Sequence, residues 1–199
     1  MQKDVHNPGR LPTADGLAAA AGSFPEKGLP PVHLWNPPFC GDLDMRIARD
    51  GTWFYLGTPI GRAPLVRLFS RILKREGGSY YLVTPVEKVG ITVEDVPFLA
   101  VDFDVEDAGR TQRLVFTTSV GDRVVAGPEH AIRVAFDPAA DAPSPYLHVR
   151  AGLEARIDRK SFYRLVEIAT EAEVDGVPHL GLWSDGTFFP FQPSAGLEG

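Results

Sequence analysis

The chain has 199 residues, 44% hydrophobic and 23% charged, with 26 acids against 20 bases for a net charge of −6. That composition suits a folded protein with one or two cores and excludes collagen-like, wholly disordered and helix-spanning membrane classes; the negative charge predicts no overall attraction to a nucleic-acid polymer or an anionic membrane. Cys40 stands alone, which rules out an internal disulfide and a multi-cysteine zinc site, and with no readable signal peptide the expected compartment is the cytoplasm.

Residues 1–30, rich in Gly, Pro and Ala without an apolar period, predict an irregular leader. Leu43, Met45 and Ile47 then alternate with Asp44, Arg46 and Ala48, and Asp50-Gly51 separates them from Thr52 to Leu56, a hairpin signal. A two-residue turn would pair Arg49 with Thr52, Ile47 with Phe54 and Met45 with Leu56. That register puts Leu43, Met45, Ile47, Phe54 and Leu56 on one face and Asp44, Arg46, Trp53 and Tyr55 on the other. A helix is expected from Pro64 to the Gly77-Gly78 pair, with a core stripe of Leu65, Leu68, Phe69 and Ile72 opposite a basic stripe of Arg67, Arg71 and Lys74. Ser79 to Thr84 reads as a strand.

Short strands follow over Phe98–Phe103, Arg113–Thr117, Arg123–Ala126, Ala131–Phe136, Tyr146–Val149 and Leu153–Ile157, the pattern of a curved sheet or partial barrel. For Leu147 and Val149 to share a face with Leu153, Ala155 and Ile157, a three-residue loop Arg150-Ala151-Gly152 is expected, with Gly152 at positive φ. Asp158 should cap a second helix with Phe162, Leu165, Val166 and Ala169 facing the core. A last hairpin, Leu180–Ser184 and Thr187–Phe191, turns at Asp185-Gly186. Asp50-Gly51-Thr52 recurs as Asp185-Gly186-Thr187, and Arg62 to Val66 echoes Arg159 to Tyr163, so two related units are suggested. The expected fold class is α+β: an N-terminal domain over 31–86 and a second over 87–194, the latter a strongly bent antiparallel sheet or partial barrel with one helix.

No Gly-rich phosphate loop, Gly-x-Ser-x-Gly elbow or His-Glu-x-x-His pair occurs. Asp42-Leu43-Asp44 has the spacing of a metal-binding carboxylate pair, but Pro37-Pro38-Phe39-Cys40-Gly41 precedes it in place of an apolar strand. Cys40 and His33 have two prolines between them and no orienting helix terminus. Arg62, Arg67, Arg71, Lys74 and Arg75 form a basic cluster, whereas Glu94 to Asp107 holds six acids and no base. The constellation with most chemistry is aromatic and basic: Trp35, Arg46, Trp53, Tyr55 and Arg62 in the first lobe, Tyr146, Arg150, Arg156 and Trp183 in the second. Rings stack on bases and guanidinium groups grip phosphates. Against this, Trp53 and Tyr55 could simply pack, with Arg46 paired to Asp44.

The run Trp35 to Tyr55, followed by Gly57 to Arg62, Leu65 to Phe69, Leu82 to Lys88, Glu94 to Phe98 and Arg150 to Arg156, resembles a bacterial family known as domain of unknown function 1285 (DUF1285), over residues 31–191. The resemblance implies a duplicated, two-domain fold whose second domain is similar to pleckstrin-homology folds, a nucleotide-type ligand at the domain interface and a role in signalling. It brings no catalytic residues. The expectation is therefore a non-catalytic regulatory module that binds a small, nucleotide-like anion between its lobes, with no cofactor and no metal. Its candidate contacts are Trp35, Asp44, Arg46, Trp53, Tyr55, Arg62, Glu87, Lys88, Arg150 and Arg156. Two alternatives stand beside it: a metal-dependent phosphoester hydrolase using Asp42 and Asp44, and a protein-interaction domain using Arg67, Arg71 and Lys74 or a sheet edge. On the leading expectation, Trp53→Ala weakens ligand binding and leaves stability nearly unchanged.

Overall fold

The computed structural model describes residues 12–25, 28–109, 111–137 and 142–194. The chain divides into two units, 1–48 with 52–94 and 49–51 with 95–199.

In the first unit, helix α1 (Ala14–Gly22) is capped by Thr13, whose hydroxyl accepts from the Gly16 N–H at 3.2 Å, and it buries Ala14, Leu17 and Ala21. This corrects the irregular leader for 14–22. Alanine carries the highest helix propensity, so a run with one leucine can form a helix that a search for apolar periodicity overlooks. Residues 1–11 lie outside the described residues.

Strands β1 (Phe39–Ile47), β2 (Trp53–Tyr55), β3 (Thr58–Pro59), β4 (Leu73–Glu76), β5 (Ser79–Val83) and β6 (Lys88–Val93) form one sheet in the order β3-β2-β1-β6-β5-β4, with β1 and β6 parallel. The β1–β2 register differs from the expected one by a residue: Ile47 faces Trp53, Arg46 faces Phe54 and Met45 faces Tyr55. The Ala48 N–H bonds the Thr52 carbonyl at 2.9 Å, so the loop is Arg49-Asp50-Gly51, one residue longer than the tight turn that was expected. A one-residue slip exchanges the faces of a strand. Trp53 accordingly turns inward, 2% exposed and stacked on Phe69 with centroids 6.3 Å apart, while Phe54 lies outside under the Arg46 guanidinium at 4.2 Å.

Helix α2 (Ala63–Arg71) stops six residues short of Gly77, and Leu73–Glu76 instead forms β4, hairpinned to β5 through Gly77-Gly78. Phe69 and Ile72 are fully buried; Leu65 and Leu68 are half-buried. Of the basic stripe, Arg67 is exposed, while the other two bases bond the chain itself. Arg71 donates to the carbonyls of Pro25 and Gly28, and the Lys74 ammonium donates to the Trp35 carbonyl at 3.1 Å. Two of the three stripe residues thus tie α2 and β4 to the chain's own N-terminal segment.

Glu76 accepts from Lys88 at 2.8 Å and pairs with Lys74 at 2.9 Å, and these hydrogen bonds, Lys88 first, hold its carboxyl below the usual value despite some burial. A carboxyl whose folded pKa lies below its unfolded one adds stability above the unfolded value and loses it as pH falls through the folded one. Glu76→Gln is therefore expected to be less stable than wild type at neutral pH and to converge with it below about pH 4. Urea midpoints measured across that range test this; a gap that stays constant with pH would remove the charge as its cause.

The second unit holds β7 (Phe98–Glu106), β8 (Arg113–Thr118), β9 (Arg123–Val125), β10 (Ile132–Asp137), β11 (Ala142–Arg150) and β12 (Leu153–Ile157), in the order β10-β11-β12-β7-β8-β9, with β12 and β7 parallel. This sheet curls into a half-barrel. Its topology repeats that of the first sheet: two antiparallel three-stranded meanders joined by a central parallel pair. The relatedness hinted at by the Asp-Gly-Thr echoes therefore lies in strand order, and the helix falls between the meanders in one unit and after them in the other.

Leu147, Val149, Leu153, Ala155 and Ile157 are all buried, as parity demanded, but by a different device. Arg150 pairs with Leu153 around a two-residue turn, and a bulge between His148 and Arg150 restores the face. Ala151 and Gly152 both sit at positive φ, 45° and 75°, the requirement of a type I′ turn.

Helix α3 (Arg159–Glu167) follows, then a three-stranded sheet of β13 (Thr170–Val174), β14 (Val177–Ser184) and β15 (Thr187–Pro193). Of the expected α3 stripe, Leu165 is buried, Phe162 is half-buried and Val166 is 40% exposed. Strand β13, not anticipated because Glu171 and Glu173 interrupt its apolar character, pairs with β14 around Asp175-Gly176. Ser184 stitches this sheet to the curled one: its hydroxyl accepts from the Leu114 N–H at 2.9 Å and donates to the Ala126 carbonyl at 2.7 Å, entirely buried. No helix among the described residues is long and apolar enough to cross a membrane.

Candidate functional site

Asp158 leaves β12 in extended conformation, and its side chain accepts the Ser161 N–H at 2.7 Å, fixing the start of α3 as the sequence anticipated. The residues that follow the cap are Arg159 and Lys160, with no acid in the first turn. Bases there oppose the positive end of the helix dipole, so this turn concentrates positive potential where an anion would relieve it.

A cavity of about 360 Å³ opens beside this turn, within the second unit. One wall is the helix start, Asp158, Arg159, Phe162 and Tyr163; a second is β11, with Pro143, Ser144 and Pro145; the floor includes Leu99 of β7 and Arg156 of β12, which are cross-strand partners. Arg49, Asp50 and Ile157 complete the lining. Three arginines and two aspartates thus belong to the lining, and the Asp158 carboxylate is engaged as a cap. Two aromatic rings and two prolines supply apolar surface. A space of about 360 Å³ is the size of a small organic ligand's pocket.

Of the ten candidates read from the sequence, Arg156 lines this cavity and the other nine do not. Trp53 is a correction: it is core, not a stacking surface. Asp44 projects from the exposed face of β1, and Tyr55 is half-buried opposite Met45. Arg46 is ion-paired to Glu94 rather than to Asp44. Trp35 packs its ring on Phe24 at 4.8 Å. Arg62 is exposed before α2. The Glu87 N–H donates to the Thr84 hydroxyl in a turn, and Lys88 is held by Glu76. Arg150 pairs with Asp122 at 2.5 Å and lies 4.8 Å over the Phe98 ring.

Asp42 and Asp44 share the outer face of β1, and Asp42 lies so close to Gly90 that a Cβ there would stand 2.0 Å from its Oδ1. Among the described residues no three His, Cys, Asp or Glu side chains gather as metal ligands. Sequence reasoning missed Arg49, Arg159 and Tyr163. A signal was present for Arg159: two bases directly after an N-cap contradict the usual acidic first turn, and such local inconsistencies mark functional positions.

The model described as the N-terminal domain of DUF1285, a domain of unknown function, matches residues 30–96, and that described as the C-terminal domain of the same protein family of unknown function matches 97–191. Among solved structures, the chain is similar to a DUF1285 family protein from Silicibacter pomeroyi DSS-3 at 61% identity, covering 94% of this chain and 100% of that one with a TM-score of 0.84. A DUF1285 family protein from Shewanella baltica OS155 is 31% identical, covering 63% of this chain and 91% of that one, with a TM-score of 0.49. No curated protein matches the sequence. Both family halves match in order and adjoin at residues 96 and 97, and a solved member aligns along its whole length: the chain belongs to the DUF1285 family.

Proposed function

We propose that the chain is a non-catalytic regulatory module of the cytoplasm that binds a small nucleotide-like anion in the cavity beside α3. The observation that supports this reading is that Arg49, Arg156 and Arg159 line one concave site together with the first turn of a helix and two aromatic residues. Guanidinium groups and helix N-termini share a preference for phosphate and carboxylate, and the rings and prolines suit a planar base.

The test is thermal shift of the full chain with AMP, inorganic phosphate and adenosine. AMP at a hundred times its Kd is expected to stabilise the protein by about 2.7 kcal/mol. Arg159→Ala removes one charge-assisted contact, worth about 1.5–3 kcal/mol, so its AMP affinity should fall roughly tenfold or more with the melting temperature of the free protein little changed. An unshifted melt with every nucleotide tried, or equal affinity in Arg159→Ala, overturns the reading.

A further inference from the structure

Arg156 lines the cavity, and the bonds of its neighbours decide which acid its guanidinium meets. Arg133, Tyr146, Arg156 and Leu99 form one cross-strand row over β10, β11, β12 and β7. Arg133 spends its charge on Glu154, with two bonds of 2.6 and 2.8 Å, and its guanidinium covers the Tyr146 ring at 4.1 Å. Glu154 is therefore taken. Arg156 is paired instead with Asp95, at a long 4.0 Å. The Tyr146 hydroxyl donates to the Asp95 carboxylate, 3.0 and 3.2 Å from its two oxygens. Burial, with the Asp95 carboxylate second, keeps that phenol above its ordinary pKa, so it remains a donor at neutral pH.

Resting on the anion-binding reading, we propose that Asp95 is the resident counter-ion of Arg156, held back by Tyr146, and that the ligand's anionic group takes its place on the guanidinium. Asp95 and Tyr146 are positioning residues acting in opposite senses. Asp95 competes with the ligand; Tyr146 restrains the competitor. Two groups that merely supported the fold would move affinity in the same direction when changed.

The experiment is calorimetric titration of the full chain with AMP and adenosine. Asp95→Asn keeps the shape and removes the competing charge, and AMP should bind about five- to tenfold tighter. Tyr146→Phe frees Asp95 to close on Arg156, and AMP should bind several-fold weaker; the double variant should match Asp95→Asn. Adenosine, lacking the charge, should respond to neither change. If Tyr146→Phe does not fold, the sign of the Asp95→Asn effect decides alone. Weaker AMP binding in Asp95→Asn, or an equal change for adenosine, overturns this inference and leaves the binding reading standing. Failure of wild type to bind AMP overturns both.

Discussion

Trp53→Ala is expected to lose about 3–5 kcal/mol of stability, the usual consequence of emptying a fully packed aromatic site. The indole is 2% exposed and stacks on Phe69, itself wholly buried, so truncation leaves a cavity between β2 and α2 that neither element can fill without abandoning its own hydrogen bonds. Urea unfolding followed by circular dichroism measures the loss. AMP affinity of the folded variant should match wild type, since Trp53 does not line the α3 cavity. This reverses the expectation drawn from sequence. A small stability change with weakened binding would restore Trp53 to the surface.

Ser184→Ala removes one oxygen and orphans two backbone groups. The Leu114 N–H and Ala126 carbonyl both lose their side-chain partner in a place closed to solvent. With each buried unsatisfied group costing about 1–3 kcal/mol, a loss of about 2–4 kcal/mol is expected. Ser161 gives the opposite case. Its hydroxyl is also wholly buried but finds no hydrogen-bond partner, so Ser161→Ala sheds a desolvated polar atom and should leave stability equal or slightly higher. Chemical denaturation of the two variants side by side separates the explanations: equal losses would show that packing of the serine, and not satisfaction of the backbone, governs both sites.

What could be read from sequence was what local chemistry fixes. Asp158 capped its helix, Asp185-Gly186 turned its hairpin, and Leu43, Met45 and Ile47 were buried, because a cap, a left-handed turn and a period of two are decided within a few residues. What escaped depended on distant partners. Whether Trp53 or Phe54 faces the core turns on the length of one loop, and only α2 and Phe69 on the far side decide it. Leu73–Glu76 left the helix because Ser79–Leu82 offered a ladder. At the site, Arg156 was found among the aromatic and basic positions, whereas Arg49 and Arg159 come from segments far apart in sequence that no spacing rule connects. Composition also hid pairing: Arg46, Lys88 and Arg150 each meet an acid that no spacing rule connects to them, Glu94, Glu76 and Asp122.

In both six-stranded sheets every seam except the central one joins strands that follow each other along the chain. The exception in the second unit zips Phe98–Ala100 to Ala155–Ile157, and it closes a far larger loop than any hairpin around it. Leu99 and Arg156 meet across that seam, and both belong to the cavity floor. During synthesis the floor cannot exist until Ile157 has left the ribosome, whatever has already folded upstream. A ligand that needs this floor therefore recognises only a finished second unit.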